Sequence, residues 1–409
     1  MQYNTATLPN GLRIIHRQDS SPVVYCGYAI SAGTRDELPG EEGMAHFCEH
    51  VTFKGTARRS ALRIINSLES VGGELNAFTT KEHTVYYAAI LKDHVRRAAD
   101  LLTDIVFHST YPQAETEKEV AVICDEIESY NDSPAELIYD DFENIIFSGH
   151  PLGHNILGQA DRLRTYGPED ARRFTAARYR PCNAVFFACG DISFSSLTTF
   201  LRRATSDFAP AEPMPVRTAG AALPDYTAGV HVVNRGTHQS HVLIGSRAYS
   251  MHDSRRMALC LLSNMLGGPG MNARLNIALR ERNALVYTVD SSIVSYSDTG
   301  MWCIYFGCDP HDISRCRRLV RRELDRMASR PLSEARLAAA KRQIKGQIAV
   351  ACDNRESFAL DVGKTFLHYG RGKDIAATFD RIDALTPEDL RRTAEELFAP
   401  ELTTTLIYK

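Results

Sequence analysis

His46, Glu49 and His50 stand at a spacing that lets them act together. On a helix, side chains four residues apart project from one face, so the two imidazoles can share one metal ion. Glu49 lies three residues from His46 on that face, close enough to reach a water on the metal without binding the metal itself. That placement suits a general base for hydrolysis. A catalytic zinc takes three protein ligands and keeps a fourth position open, so a second anionic helix is required. Glu117-Lys-Glu-Val-Ala-Val-Ile-Cys-Asp-Glu-Ile-Glu128 supplies one, with Glu119 and Glu126 two helical turns apart on a face otherwise lined by Val122 and Ile123. A carboxylate on a partly buried stripe needs a partner. Glu126 is therefore expected as the third ligand, and Glu119 as a catalytic-site carboxylate that orients a histidine or backs the water. Taken separately, the histidines also read as a satisfied polar pair and the glutamates as a solvated acidic face.

These groups must be positioned by elements the pattern also predicts. β-rich runs at Val23 to Ile30, Thr84 to Leu91, Ala184 to Cys189, Trp302 to Gly307 and Thr403 to Tyr408 alternate with amphipathic helices. Ser60 to Val71, Asp93 to His108, Ala114 to Glu128 and Glu334 to Ala351 are the clearest of these helices. Strict βαβ alternation is absent, so the expected class is α+β, built as two-layer α/β sandwiches.

The chain is written twice. Tyr166-Gly-Pro-Glu-Asp-Ala-Arg-Arg-Phe-Thr-Ala-Ala-Arg-Tyr-Arg-Pro181 parallels Leu385-Thr-Pro-Glu-Asp-Leu-Arg-Arg-Thr-Ala-Glu-Glu-Leu-Phe-Ala-Pro400, and Val23-Val-Tyr-Cys-Gly27 parallels His241-Val-Leu-Ile-Gly245 at an offset of 218. Pro210, Pro213, Pro215 and Pro224 interrupt regular structure between the copies. The expected domains are 1–208 with the metal site, a linker at 209–228, and a homologous domain at 229–409, to which a family resemblance adds a substrate-binding role. At that offset His46, Glu49 and His50 fall on Asn264, Gly267 and Gly268, so the second copy has no metal site. Gly267-Gly-Pro-Gly270 lacks the Lys and Ser or Thr of a phosphate loop and reads as a turn.

His46-Phe-Cys-Glu-His50 is the inverted HxxEH motif of the inverzincins. Its surroundings resemble the insulinase, pitrilysin and mitochondrial processing peptidase family over nearly the whole chain. Leu8-Pro-Asn-Gly-Leu12 resembles that family's opening strand, Gly33-Thr-Arg-Asp-Glu37 the segment leading into the metal helix, and Phe53-Lys-Gly-Thr56 the segment leaving it. Gly72-Gly-Glu-Leu-Asn-Ala-Phe-Thr79 resembles the active-site edge strand, while His150-Pro-Leu-Gly-His154 and Ile156-Leu-Gly158 resemble another recurrent stretch. Leu279-Arg-Glu-Arg-Asn-Ala-Leu-Val-Tyr287 resembles a substrate-binding stretch, with Ala284 or a near neighbour where a glycine is usual.

The resemblance implies one Zn(2+) per chain on His46, His50 and Glu126, supported by Glu119, with Glu49 activating the water. It places peptide substrate along Asn76, Ala77 and Phe78, with Arg280 and Tyr287 holding its backbone and the developing oxyanion. It further implies half of a clamshell chamber completed by a homodimer, in which a zinc endopeptidase hydrolyses short or unfolded peptides. A structural subunit of the same family that lacks the metal site is the rival reading, and the four zinc-site residues argue against it. A catalytic subunit that works only with a different partner chain is a third. Cys48, inside the motif, is expected to make activity sensitive to thiol alkylation.

Composition excludes other classes. The 409 residues carry 47 basic and 50 acidic side chains, a formal net charge of −3, so no nucleic-acid footprint is expected. Residues 1–13 lack a signal's basic and apolar regions, and no apolar run reaches spanning length, so no membrane partner and a cytoplasmic location are expected. The ten cysteines lie mostly in apolar segments without CxxC spacing, as buried free thiols do.

Overall fold

The computed structural model describes residues 2–218 and 220–409; Met1 of the N-terminal stretch and Ala219 of the expected linker lie outside them. The chain forms two compact units, one from Met1–Glu128, Asn155–Arg217 and Ala351–Asp374, the other from Ser129–His154, Thr218–Val350 and Ile375–Lys409.

The first unit holds a six-stranded sheet in the order β1-β2-β6-β3-β5-β4. Its strands are β1 Asn4–Thr7, β2 Arg13–Arg17, β3 Val23–Ile30, β4 Glu74–Thr79, β5 Thr84–Leu91 and β6 Ala184–Cys189. The second holds five strands in the order β7-β11-β8-β10-β9, with β7 Val230–Val233, β8 Ser240–Ala248, β9 Val286–Ser295, β10 Gly300–Cys308 and β11 Thr404–Tyr408. The orders superpose when β2, β6, β3, β5 and β4 are matched to β7, β11, β8, β10 and β9. In each sheet the first two matched strands run parallel and the rest antiparallel. The internal duplication is thus a duplication of topology. Gly27 and Gly245 mark it at atomic scale: a Cβ at Gly27 would lie 2.3 Å from the Tyr86 carbonyl oxygen, and one at Gly245 2.1 Å from that of Trp302.

The expected runs are strands and helices as read, to within two or three residues at their ends. Leu8 to Leu12, expected as an opening strand, is instead the turn between β1 and β2. Gly11 adopts φ 82° there, and Asn10 ties the turn by accepting from the Leu12 N–H at 3.2 Å.

The units also differ from a contiguous division at 1–208 and 229–409, because each half contributes a helix to the other's unit. The reason lies in the sheets. Every residue of β6 is buried, so both faces of this strand need cover. On one face Tyr28 packs edge-on to Phe186 at 4.9 Å within the core that includes Phe47, Leu102 and Ile105. On the other, the helix Arg355–Tyr369 comes so near that a Cβ at Gly363 would lie 2.4 Å from the Phe187 ring. The second sheet repeats the arrangement by strict alternation. Val242, Ile244, Trp302, Ile304 and Phe306 face one core, while Leu243, Cys303, Tyr305, Leu406 and Tyr408 face another built on Leu137, Ile138 and Phe142 of the helix Pro134–Ile146. Burying each such Phe contributes about 1.5–3 kcal/mol, so neither sheet face can be left bare.

No helix among the described residues is long and apolar enough to cross a membrane. Among the described residues, no helix or strand is formed between Ala204 and Val230. Ala284 adopts φ +50°, a left-handed backbone that suits glycine, at the position where the family resemblance led us to expect one. Ala284→Gly is expected to raise unfolding stability by about 1 kcal/mol, read as a shift in the denaturation midpoint. A lowered midpoint would contradict it.

Candidate metal centre

The metal helix is Met44–Thr52, and its start is set by a buried carboxylate. Glu37 accepts the backbone N–H of Gly43 at 3.0 Å and of Ala45 at 2.8 Å, satisfying two donors that a helix N-terminus otherwise leaves unpaired. Met44, Phe47, Cys48 and Val51 bury in the first unit's core, which turns the opposite stripe, His46, Glu49 and His50, away from it. The carboxylate helix is Gln113–Asn131; Ile123 and Ile127 anchor it in the same core.

These two helices bring three ligand atoms together. Glu126 Oε1 lies 3.8 Å from His46 Nε2, and Glu126 Oε2 lies 3.3 Å from His50 Nε2. All three groups fall within 4.8 Å of one another. Ligands held tetrahedrally about 2.0–2.1 Å from one zinc stand about 3.3–3.4 Å apart, so the set fits that ion. His46 Nδ1 is buried with no hydrogen-bond partner, leaving Nε2 as the nitrogen that faces the cluster.

Glu119 completes the arrangement from two turns earlier on the same helix. Its Oε1 is 2.9 Å from His50 Nδ1 and its Oε2 2.5 Å from Lys54 Nζ. Placing the proton on Nδ1 frees the Nε2 lone pair toward Glu126. Burial alone would raise the Glu119 carboxyl, but His50 and Lys54 outweigh it and hold the carboxyl below its usual range. The expected stripe needs one correction: Val122 is 51% exposed, so Ile123 alone gives that face its apolar anchor.

The two imidazoles differ in charge state. Burial, aided by His50, pulls His46 down to about 3, so it is neutral and ready to ligate. Burial pulls His50 down as well, but the Glu119 hydrogen bond and the charges of Glu49 and Glu126 more than offset it and place it above 6.5. A proton on His50 would therefore compete with a metal ion held there. Zinc affinity is expected to be full above this raised pKa and to fall about tenfold per pH unit below it, with no added slope from His46 near neutrality. Competition with a chelating dye between roughly pH 5 and 9 reads this directly, and a flat profile would exclude His50 as a ligand. Glu119→Gln is expected to weaken zinc about 10- to 100-fold while leaving the three ligand atoms in place. An unchanged affinity would show that the Glu119 contact is incidental.

Glu49 sits beside the cluster, where burial raises its carboxyl above the usual value against the pull of Thr79 and His50. The Thr79 hydroxyl donates to its Oε2, tying the metal helix to β4, the edge strand of the sheet. Asn76, Ala77 and Phe78 lie on that edge. Arg280 and Tyr287 belong to the second unit, where the guanidinium stands 5.8 Å from the Tyr287 ring centre and the ring is 83% exposed. Cys48 is fully buried and its thiol is pushed well above the ordinary range, first by burial and then by Glu37, so the expected sensitivity to alkylation at this residue is withdrawn.

The sequence placed Thr79 only on the edge strand beside substrate and gave Lys54 no role, although both lie in stretches that resemble the family. Their partners are 30 and 65 residues away, at Glu49 and Glu119. No periodicity signals such pairs. In the second unit the counterparts of His46 and Glu126 are Asn264 and, when the helix Glu334–Ala351 is matched to the carboxylate helix from their first residues, Gln347. Asn264 Nδ2 donates to Gln347 Oε1 at 2.8 Å, a neutral amide pair where the first unit has imidazole and carboxylate.

Two histidines one turn apart, a carboxylate from a second helix and a further buried glutamate beside them make the donor set of a metal-dependent hydrolase. The profile of the insulinase family, peptidase family M16, matches residues 13–160, and that of the peptidase M16 inactive domain matches residues 166–344. An uncharacterised zinc protease of Streptomyces coelicolor is 32% identical over 96% of this chain and 86% of its own length. The uncharacterised zinc protease YmxG of Bacillus subtilis is 31% identical over 98% and 97%. Among solved structures, a Helicobacter pylori protease superposes with a TM-score of 0.89 at 21% identity, covering 100% of this chain and 99% of that one. A peptidase M16 inactive domain from Pseudomonas fluorescens gives 0.90 at 16% identity, over 100% and 98%. The chain belongs to the insulinase family of metallopeptidases, peptidase family M16.

Proposed function

We propose that this chain is a zinc-dependent endopeptidase that hydrolyses short or unfolded peptides, with His46, His50 and Glu126 holding one zinc ion and Glu49 as the base. The convergence of those three ligand atoms beside Glu49 carries the reading. When bound, zinc supplies the Lewis acidity that acidifies a water and polarises the scissile carbonyl. Thr79 occupies Glu49 Oε2, so Oε1 is the atom that takes the water's proton and returns it to the leaving amine. The raised carboxyl makes Glu49 a stronger proton acceptor than a solvated glutamate.

Substrate adds as an extended strand along Asn76, Ala77 and Phe78, because β4 is an edge whose outer backbone groups pair with no strand of the sheet. A folded protein has no free strand to offer, which restricts substrates to short or unfolded chains. Arg280 and Tyr287 hold the substrate backbone and the developing oxyanion, donated by the other subunit of a cytoplasmic homodimer that closes the chamber.

Quenched peptides and folded proteins incubated with the purified zinc enzyme test the substrate class; degradation of stable folded proteins would refute it. Mixing inactive Glu49→Gln chains with inactive Arg280→Ala chains tests the shared site. Restored cleavage is expected, whereas full specific activity of a dilute monomer would refute the dimer.

A further inference from the structure

The second unit contains a cavity of about 750 Å³ whose charge is nearly all of one sign. Arg274, Arg282, Arg326, Arg330 and Arg336 line it, against a single carboxylate, Glu323. That carboxylate is 5% exposed and already occupied: Oε2 is 2.8 Å from Arg274 and Oε1 2.5 Å from Arg326. Arg282, Arg330 and Arg336 make no ion pair with any described residue, so three guanidinium groups open into the cavity without a counter-charge. Elsewhere neighbouring arginines do meet carboxylates, as where Arg58 and Arg59 meet Asp100 and Asp104. An unneutralised cluster inside a concave space costs self-repulsion that a polyvalent anion would relieve.

The lining also limits what that anion is. Every cation in the set is arginine, whose planar fork matches tetrahedral oxyanions bidentately. The apolar lining is Ile277, Ala278, Pro331 and Leu332, with no aromatic ring on which a nucleobase would stack. Chain-wide charge is −3, so this is a local concentration of cations and not a basic face that tracks a nucleic acid. Ser333, at the rim, precedes the helix Glu334–Ala351 and accepts from the Arg336 backbone N–H at 3.4 Å, so the positive end of that helix adds to the field. A second cavity of about 220 Å³ shares Arg274, Leu332 and Arg336 and reaches Asn264, the counterpart of His46.

We propose that this cavity binds a compact oligophosphate, with the phosphate groups themselves as the recognised chemistry. The test is calorimetric titration of the full zinc-loaded chain with inorganic triphosphate, with zinc content measured before and after because the ligand chelates metals. Wild type is expected to bind one triphosphate per chain. Arg330→Ser combined with Arg336→Ser is expected to weaken binding by about tenfold or more, through loss of two charge-assisted contacts. Ser333→Glu, a rim substitution that leaves the arginines in place, is expected to weaken it comparably, while Arg392→Ser on an exposed helix face leaves it unchanged. Equal binding by wild type and Ser333→Glu overturns the proposal, as does an absence of binding. Tighter binding of a heptaglutamate peptide than of triphosphate also overturns it, by assigning the cavity to acidic peptide.

Discussion

Glu49→Gln lowers kcat about a thousandfold, within the roughly 10²- to 10⁴-fold that a positioned general base contributes. That loss corresponds to about 4 kcal/mol of transition-state stabilisation. Glutamine is nearly isosteric, and its side-chain oxygen still accepts the Thr79 hydroxyl, so the metal helix and β4 stay tied together. Zinc content is expected to remain that of wild type because Glu49 supplies no atom to the ligand cluster. Single-turnover cleavage of a quenched peptide, with metal determined on the same sample, reads both quantities. Undiminished cleavage by Glu49→Gln would remove this residue from the chemistry. Loss of zinc along with activity would instead make it part of the metal site.

Glu126→Ala abolishes cleavage by a different route. The substitution leaves two imidazoles and no carboxylate, one ligand short of a catalytic zinc site. Zinc affinity is expected to fall by more than about 100-fold, beyond the range for a group that only orients a ligand, as predicted for Glu119. The fold should tolerate the change, since the Glu126 side chain is 45% exposed and the helix is anchored by Ile123 and Ile127. Glu128→Ala, on the same helix but outside the cluster, is the control and retains both zinc and activity. The assignment of the third ligand fails if Glu126→Ala binds zinc as tightly as wild type does. Read together, the two variants separate loss of the base from loss of the metal.

Much of this was legible without coordinates because it depends on local periodicity. His46, Glu49 and His50 share a face at the pitch of any α-helix, and Val23–Ile30 and Thr84–Leu91 are strands because β-branched and aromatic residues are concentrated there. The duplication was legible too, since a fixed offset survives in residues such as Gly27 and Gly245 where the neighbouring strand leaves no room for a side chain. An apolar stripe was read across Val122 on the helix that carries Glu119 and Glu126, and there the reading failed. Helical phase says which residues share a face but not which neighbour will cover it.

The sequence by itself determined the metal helix, its chemistry, the acidic helix that would answer it, and the loss of that chemistry in the second copy. Only the tertiary structure decided that the Glu126 carboxylate meets both imidazoles while Glu119 takes His50 Nδ1 and Lys54, that Thr79 holds Glu49, and that helices Pro134–Ile146 and Arg355–Tyr369 each cover the sheet of the other half's unit. Those are pairings between residues tens to hundreds of positions apart. They are selected by the requirement that each sheet face be buried and each buried polar group be paired, a condition on the whole packed molecule that no window of sequence contains.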